Sequence, residues 1–387
     1  MENKNEKIEA CIFLSSYLDT IGFNNGKWEF NYNKQASNIN SAMILMEYMV
    51  YHYYVLGGPS KMSIKELIAS DDTILLLATT RAVNNGGGEL NYIKEYLHVL
   101  KLLEDTKRAS GIQTLKSLNY LKKIMHKKKI SYLEDIPIDT KMGGNGAAIR
   151  TATIGIKWYN NIDKIIEESI IASRLTHNLP LGFLGGLVSA LFTSYAFNNI
   201  KPWVWIDNLL KLHEDNKIKD YIRSTNLKDK YDEDIDNYFY YWYKYKEERF
   251  QNIIKFRNKK EFVNPSASIN NLTEYIPNFH KNIKKDEASY NILGLSGIDS
   301  VIYAYDALLM SIVPKGNNLE IDLIEYEYSW ESIIFFGCLH IGDSDSTGAI
   351  LGAWYGAING YNGFDKKKML DLEFYNELNI IITDLKK

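Results

Sequence analysis

Two pairs of aspartates are the residues of this sequence best suited to carry out chemistry. The stretch "SDDT" places Asp71 and Asp72 side by side, and "GDSDST" places Asp343 and Asp345 two positions apart. Carboxylates this close repel one another, so each pair needs compensating positive charge. A helix N-terminus stabilises a carboxylate by only about 0.3–1 kcal/mol, a modest effect that accounts for one of the four charges.

Divalent cations are the compensation that these ligand types favour. All the candidate ligand atoms are oxygens, and no histidine or cysteine stands directly beside either pair, which disfavours zinc. Two hard divalent cations would neutralise the four carboxylates, and ions about 3.5–4 Å apart would hold substrate oxygens and activate water. The sequence therefore predicts a site for two hard divalent cations. The alternative is two unrelated helix caps whose aspartates face water.

Each aspartate pair occurs where a helix is expected to begin. Ser70 and Ser346 are favourable N-cap residues, and helical spacing of apolar residues follows each of them. Small residues allow helices to approach closely, so we expect the two acidic helix tips to meet. Asp72 and Asp345 should then lie within about ten ångströms of each other, roughly three times an intermetal gap. The second helix is rich in such small residues, namely Gly348, Ala349, Gly352, Ala353, Gly356 and Ala357.

Helical spacing recurs along the chain, whereas the alternation typical of strands is scarce. The 387 residues include only seven prolines, and glycine-rich breaks such as "NNGGGEL" and "MGGNG" separate the segments, as does "IPNF" further on. We therefore predict an all-α fold, a single domain over residues 1–387. The predicted helices include residues 39–55, 74–83, 92–103, 165–175, 181–197, 301–313 and 348–358.

Composition and charge exclude several classes of protein. With 45% hydrophobic residues and a net charge of −3, the chain lacks the basic excess of nucleic-acid and membrane-surface binders. Two cysteines, Cys11 and Cys338, are too few for a disulfide framework and indicate a reducing compartment. The charged N-terminus has no signal-peptide core, and the apolar run from Leu181 falls short of the ~20 residues of a membrane span. We expect a cytoplasmic protein with no membrane or nucleic-acid partner.

The segment "YFYYWYKYKEERF", residues 238–250, suggests a competing function. Interleaved aromatic and basic residues can stack and bind single-stranded nucleic acid. An amphipathic helix with its rings packed inward and its lysine stems along the surface is the plainer interpretation. The overall negative charge favours the helix. Salt-sensitive RNA binding that depends on residues 238–245 would favour the nucleic-acid scaffold instead.

Five sequence blocks resemble, in order, the signature blocks of the ADP-ribosylglycohydrolases. They are "IGFNNGKWEF", "SDDT", "GGNGAAIRTATIGI", "THNLPLGFLGGLVSALFTSYA" and "GDSDSTGAILGAWYGAINGYNGF". The first block, and a serine rather than a threonine at Ser70, resemble the branch that acts on ADP-ribosylarginine rather than ADP-ribosylserine. The resemblance covers residues 11–364 and implies a compact orthogonal helical domain that binds two Mg²⁺ ions.

The resemblance also implies an activity, the cleavage of the N-glycosidic bond between ADP-ribose and arginine in mono-ADP-ribosylated proteins. Such a protein would be the partner, ADP-ribose the product, and we expect the enzyme to be a monomer. Asp71 or Asp72 would assist the attacking water, and Glu29 would close over the scissile ribose. The implied metal ligands are Ser70, Asp71, Asp72, Asp343, Asp345 and Ser346.

The glycine-rich loop "MGGNGAAIR" resembles the family's diphosphate-binding loop, in which backbone N–H groups approach phosphate closely. Arg150 would contact the ligand or form an internal ion pair, and His177 would lie near the ribose. The resemblance places the further substrate-binding positions at Gly111, Gly143, Gly144, Asn145, Gly146, Ser296 and Gly297.

Three positions depart from the family pattern. Ile298 stands where a histidine is common, Ile341 where a glycine is usual, and Ile149 where a methionine is common. None of these changes removes an implied metal ligand, although the first two bear on acceptor preference and loop geometry. A pseudoenzyme that binds ADP-ribose, and a hydrolase of serine-linked or free ADP-ribose derivatives, are therefore the alternatives within the family.

Overall fold

The computed structural model describes residues 2–29, 39–127, 131–137, 142–251, 294–315 and 325–387, and the predicted "IPNF" break lies outside them. Its architecture is all-α, as predicted. The first eight helices are α1 (Glu2–Phe23), α2 (Ile39–Val55), α3 (Gly58–Lys61), α4 (Asp71–Asn84), α5 (Glu89–Leu103), α6 (Ile112–Ile124), α7 (Ala152–Lys157) and α8 (Ile162–Arg174). The others are α9 (Pro180–Phe197), α10 (Trp205–Glu214), α11 (Lys217–Ser224), α12 (Asp232–Tyr245), α13 (Asp299–Met310), α14 (Trp330–Cys338), α15 (Ser344–Asn359) and α16 (Tyr375–Leu385).

The most extensive helix contact joins α1 to α15, the glycine-rich helix behind the second aspartate pair. A Cβ atom on Gly352 would lie 2.3 Å from the carbonyl oxygen of Leu14, and one on Gly356 would lie 2.3 Å from that of Ala10. Only glycine permits this approach. The later residue of α15, Gly356, contacts the earlier residue of α1, Ala10, so the two helices run antiparallel.

This antiparallel packing brings the end of α1 to the beginning of α15. A Cβ atom on Gly22 would lie 2.3 Å from the carbonyl oxygen of Ser344 and 2.7 Å from the Cα atom of Asp345. The glycine face of α15 was expected to bring the two acidic tips together directly. It packs on α1 instead, and α1 carries a further carboxylate, Asp19, to the same place.

Helix α9 forms the centre of the core. By length and composition its 18 residues could span a membrane, contrary to the expectation from the sequence, but 94% of this 18-residue stretch is buried inside the protein. The ring of Phe192 packs 5.1–5.5 Å, centroid to centroid, from four other aromatic rings. Those rings belong to Trp205, Trp242, Tyr305 and Trp354. One cluster of buried apolar side chains extends from Ile8 to Leu385, and the single-domain prediction stays a prediction.

The tyrosine-rich segment forms α12 followed by a π-helical turn, Lys246–Phe250. Five of its rings are buried, namely Tyr238, Phe239, Trp242, Tyr245 and Phe250. Tyr240 is 58% exposed. Most of the aromatic residues therefore pack in the core, as expected for an amphipathic helix.

The predicted helix over residues 301–313 is wrong at its C-terminal end. Helix α13 ends at Met310, and Ile312–Lys315 forms strand β1, which pairs antiparallel with β2 (Glu325–Tyr328). Pro314 lacks the N–H that a continued helix would need, and the Ser311 hydroxyl bonds to the Ala307 carbonyl oxygen at 2.7 Å. The apolar spacing continues past the helix end because β1 also faces the core.

Candidate active site

The first aspartate pair lies at the N-terminus of α4, which begins with the predicted N-cap. The Ser70 hydroxyl oxygen accepts a hydrogen bond from the Asp72 amide at 3.1 Å. Asp71 is half-buried and Asp72 is buried. The Oδ2 atom of Asp72 is buried and has no hydrogen-bond partner. An unpartnered carboxylate oxygen in this position is costly unless a ligand completes the site.

The second pair lies at the N-terminus of α15, where the predicted cap is wrong. The helix begins at Ser344 with Asp343 in the N-cap position, so Ser346 lies within the first turn. The Ser346 amide donates to Asp345 Oδ1 at 2.9 Å, and its hydroxyl group bonds to the Asp343 carboxylate. Asp343, Asp345 and Ser346 are all buried. These residues therefore form one polar group at the helix tip whose oxygens are shielded from water.

The two acidic tips meet, which confirms the spatial prediction made from the sequence. Carboxylate oxygens of Asp19, Asp72 and Asp345 lie within 4.8 Å of one another, and oxygens of Glu29, Asp343 and Asp345 do the same. Asp345 belongs to both groups and joins them. Together with the neighbouring Asp71, these residues form the acidic cluster, which consists of Asp19, Glu29, Asp71, Asp72, Asp343 and Asp345.

Burial, reinforced by neighbouring carboxylates, raises the pKa of the cluster's carboxyl groups. The pKa of Asp71 and that of Asp343 each rise to about 7, and the pKa of Glu29 rises to about 10. Burial, with the other aspartates adding to it, also raises the pKa of Asp72 and that of Asp345 well above the usual range. Without a cation, the cluster therefore holds protons near neutral pH.

The residues present fit a pair of hard divalent cations. Within the described parts of the chain, no lysine or arginine forms an ion pair with a member of the cluster. The ligand atoms are carboxylate and hydroxyl oxygens, which Mg²⁺ prefers. The unpartnered Asp72 oxygen points to a missing ligand of positive charge. Asp19 was missed in the sequence because it lies in an apolar stretch near the C-terminal end of α1, with no neighbouring acid to mark it.

The predicted diphosphate loop is paired with the other predicted glycine segment. Gly144 forms an isolated antiparallel bridge with Ser296, and the Gly297 amide donates to the Gly143 carbonyl oxygen at 3.0 Å. The pairing places residues 143–146 and 294–297 side by side, although they lie far apart in the sequence. The two predicted substrate-binding segments therefore form one structural unit.

Asn145 joins this unit to the acidic cluster. Its side-chain amide donates to Asp343 Oδ2 at 2.8 Å and to the Gly294 carbonyl oxygen at 2.8 Å. Asp299, which the sequence did not single out, accepts bonds from the Ser296 amide at 2.7 Å and the Ser296 hydroxyl at 2.6 Å. A buried aspartate thus shapes the loop without belonging to the cluster.

His177 packs against the glycine loop. A Cβ atom on Gly146 would lie 2.7 Å from the His177 Cε1 atom, so this glycine is required by the imidazole. Burial, with the charge of Arg150 adding to it, lowers the pKa of His177 to about 3. The ring is therefore neutral at physiological pH and acts as a hydrogen-bonding group rather than as a cation.

Arg150 is fully buried, and the hydrogen bonds it makes in the described structure go to neutral groups. Its guanidinium donates to the Gly146 carbonyl oxygen, to the Thr176 hydroxyl at 2.7 Å and to the Tyr96 hydroxyl at 3.0 Å. No ion pair involving Arg150 is formed with the described residues. The Arg150 side chain holds the glycine-rich loop in place through its bond to Gly146. Its contact with a ligand stays a prediction.

Gly111 lies against the first acidic tip. Its amide hydrogen-bonds to the Asp71 carboxylate, an interaction that favours the charged form of Asp71. Arg108, in the same loop, forms a bidentate pair with Glu373 at 2.6 Å and 2.7 Å and donates to the Ala69 carbonyl oxygen at 2.8 Å. These contacts anchor the segment that leads into Ser70.

His340 is a further residue that the sequence did not single out. Its Nδ1 atom accepts from the Gly342 amide at 3.1 Å, so its Nε2 atom carries the proton and donates to the Thr347 hydroxyl at 2.6 Å. Thr347 in turn donates to the Asp343 carbonyl oxygen at 2.9 Å. Burial lowers the pKa of His340 to about 3, so the network is neutral. The three departures from the family pattern, Ile149, Ile298 and Ile341, are all buried apolar residues.

Comparisons with known proteins identify the family of this chain. The sequence model of the ADP-ribosylglycohydrolase family matches residues 1–386. The chain is 33% identical to ADP-ribosylhydrolase ARH1 of Dictyostelium discoideum, over 95% of this chain and 91% of the relative. It is 31% identical to a protein of Acanthamoeba polyphaga mimivirus named as a putative ADP-ribosyl glycohydrolase, over 96% of this chain and 68% of that protein.

A solved structure described as an ADP-ribosylglycohydrolase-related protein complex shares the fold, with a TM-score of 0.55 and 12% identity. The match covers 100% of this chain and 98% of that one. At that identity the likeness concerns the fold alone. The family match over nearly the whole chain and the 33% identity to a relative show that this protein is a hydrolase of the ADP-ribosylglycohydrolase family.

Proposed function

We propose that this protein hydrolyses the N-glycosidic bond between ADP-ribose and an arginine side chain of a modified protein, with two Mg²⁺ or Mn²⁺ ions bound. The observation that carries the proposal is the convergence of six carboxylates with no ion-pair partner among the described residues. Metal dependence is a known property of the family's active site. The similarity to a relative named as an ADP-ribosylhydrolase supports the reaction class.

The cations would be held by the two helix tips and the hydroxyl groups beside them. The ligands would be Ser70, Asp71, Asp72, Asp343, Asp345 and Ser346. When bound, such ions supply positive charge that orients the ribose hydroxyl groups and activates water. They would also neutralise the four aspartates that bind them, so that these ligands lose the protons that they hold without a cation.

The chain's own residues would bind and orient ADP-ribose. The backbone N–H groups of residues 143–146 would receive the diphosphate, since glycine allows phosphate to approach the backbone closely. Asn145 is bonded to Asp343, so a ligand seated on this loop is held in a fixed position relative to the cluster. Neutral His177 lies beneath the loop, where the ribose would pass.

Two carboxyl groups suit the proton transfers. Asp71 is half-buried and receives the Gly111 hydrogen bond, so it is the member of its pair best placed to take a proton from water. Glu29 lies at the partly exposed edge of the cluster, and burial together with neighbouring carboxylates raises its pKa to about 10. Its protonated carboxyl would donate to the departing guanidine, which is a strong base.

An arginine acceptor fits the charge of the site better than serine. Cleavage of the ribosyl bond develops positive charge on the sugar, which nearby carboxylates stabilise. A guanidinium group is itself a cation and would be attracted to the aspartates of the cluster, whereas a serine hydroxyl gains nothing from that charge. The "IGFNNGKWEF" block and Ser70 support the same acceptor.

One assay tests the proposal. The purified protein is incubated with arginine-linked and serine-linked ADP-ribosyl peptides, each with Mg²⁺ and with a chelator. We expect release of ADP-ribose from the arginine linkage alone, and only with Mg²⁺. Release from serine would assign a different acceptor. Tight ADP-ribose binding without release from either peptide would identify a pseudoenzyme and refute the proposed activity.

A further inference from the structure

Two members of the acidic cluster, Asp19 and Glu29, lie outside both predicted groups of metal ligands, and Asp19 has the more unusual surroundings. It is fully buried near the C-terminal end of α1. Its Oδ1 atom accepts from the Ser70 hydroxyl at 2.6 Å and from the Ser70 amide at 3.4 Å. Its Oδ2 atom accepts from the Thr73 amide at 3.2 Å and from the Thr73 hydroxyl. Four donors, all from the first turn of α4 and its cap, therefore surround one carboxylate.

These hydrogen bonds distinguish Asp19 from the other carboxylates of the cluster. An ionised carboxylate has about four lone-pair sites, and the four donors occupy all of them. An oxygen of Asp19 lies within 4.8 Å of ligand atoms of Asp72 and Asp345, yet Asp19 has no lone pair left for a cation. Asp72 is the opposite case, because its Oδ2 atom is buried without a partner. Proximity to the cluster thus does not make Asp19 a ligand.

The Ser70 hydroxyl shows what Asp19 does instead. A hydroxyl group has one proton and two lone pairs. In Ser70 the proton is donated to Asp19, and one lone pair accepts the Asp72 amide at 3.1 Å. One lone pair remains, and the proton is held away from any cation that this lone pair would bind.

We infer that Asp19 is a positioning residue, which takes the Ser70 proton and so reserves the remaining Ser70 lone pair for a cation. The inference rests on the proposed two-cation site and deepens it. Residues that orient a metal ligand commonly cost roughly 10- to 100-fold in metal affinity when they are changed. Asp19→Asn should weaken Mn²⁺ binding by an amount in that range, because the amide offers one acceptor oxygen where the carboxylate offers two.

A double-mutant cycle tests this inference with Mn²⁺ alone as the probe. Mn²⁺ affinity is measured from the electron paramagnetic resonance signal of the free ion, for the full chain without substrate. The proteins are the wild type, Asp19→Asn, Ser70→Ala and the double variant. If Asp19 acts through Ser70, the double variant should bind Mn²⁺ about as weakly as Ser70→Ala alone. Losses that multiply would show that Asp19 acts independently, and would overturn the inference.

Thr73→Val is the matched control. It removes a hydrogen bond to the same carboxylate but leaves the bonds between Asp19 and Ser70 in place. Its Mn²⁺ affinity should stay within about threefold of the wild-type value, as expected for a change that spares the ligand. A loss equal to that of Asp19→Asn would assign the effect to the packing of α1 on α4 and overturn the inference. Circular dichroism verifies that each variant is folded.

The outcomes also distinguish this inference from the proposed function. A wild-type protein that binds no Mn²⁺ would refute the two-cation site, and the role of Asp19 with it. A wild-type protein that binds Mn²⁺ and releases ADP-ribose, together with an Asp19→Asn variant of unchanged affinity, would refute the role of Asp19 alone.

Discussion

Two groups of buried carboxylates in this protein differ in how their charge is compensated. Asp306, on α13, accepts hydrogen bonds from the Tyr245 hydroxyl at 2.9 Å and from the Arg249 guanidinium at 3.0 Å and 3.1 Å. These three residues form the Asp306 network. The acidic cluster has no such cation among the described residues. One group is complete within the protein, whereas the other requires a ligand from outside.

The difference indicates which buried acids serve structure and which serve function. A buried ion pair with its hydrogen bonds satisfied can persist without any ligand, because each partner offsets the other's loss of hydration. Carboxylates buried beside one another hold protons instead, or bind cations. Burial alone is therefore a poor guide to function, and the presence or absence of an internal cation is the better one.

The largest expected effect comes from removing a charge in the acidic cluster. Asp345→Asn should lower turnover of ADP-ribosylarginine at least about a hundredfold, because Asp345 belongs to both oxygen groups. Its unfolding free energy without cations should not fall, since a like charge has been removed. Steady-state kinetics and urea unfolding measure the two quantities. Near-normal turnover would mean that the metal site is wrongly assigned.

Cation binding should stabilise the cluster and reverse its pH dependence. At a Mg²⁺ concentration of about 100 times the dissociation constant, the gain should be about 2.7 kcal/mol. Without a cation, Asp71 and Asp343 have folded-state pKa values of about 7, raised from the ordinary 3.8 of an aspartate, so the stability they confer is lost as the pH rises through 7.

Thermal unfolding from about pH 5 to about pH 8, an interval that brackets these raised pKa values, measures this effect with Mg²⁺ or with a chelator. The melting temperature in chelator should fall as the pH rises. The increment due to Mg²⁺ should grow over the same interval, because the ligands must lose their protons to bind it. An increment that does not change with pH would contradict the raised pKa values of the cluster.

The matching change in the Asp306 network should affect stability rather than catalysis. Removing one partner of a buried ion pair costs about 3–5 kcal/mol. Asp306→Asn should cost less, about 2 kcal/mol, because the amide keeps one acceptor oxygen for Tyr245 or Arg249. Urea unfolding measures the cost, and Mg²⁺ affinity should be unchanged. A loss of Mg²⁺ affinity in this variant would mean that the two groups are coupled.

The smallest effect is expected on the outer face of α12, the helix that carries Tyr245. Tyr240 is 58% exposed, so Tyr240→Ala should change the unfolding free energy by less than about 0.5 kcal/mol. Turnover should be unaffected, and a filter-binding assay should detect no salt-sensitive RNA binding in the wild type. RNA binding that this substitution weakens would revive the nucleic-acid interpretation of the segment.

The sequence predicted the fold class and both acidic tips because those signals are local. Helical spacing identified α2, α4, α9 and α15, and Ser70 is the N-cap that its residue type suggested. The predictions failed where a distant contact decides the outcome. Residues 312–313 form a strand because of their pairing with β2, and Ser346 lies inside a helix that begins three residues earlier than its own type suggested.

The sequence by itself determined which functional groups are available: four aspartates beside serines, a glycine-rich loop, and a helix of small residues able to pack tightly. What the tertiary structure decided was which groups meet. Only the packing of α1 against α4 brings Asp19 to Ser70, and only the packing of α1 against α15 brings it near Asp345. Only the pairing of residues 143–146 with 294–297 joins the loop to Asp343 through Asn145. Residue type and spacing act along the chain, whereas charge compensation and hydrogen-bond saturation depend on neighbours that folding supplies.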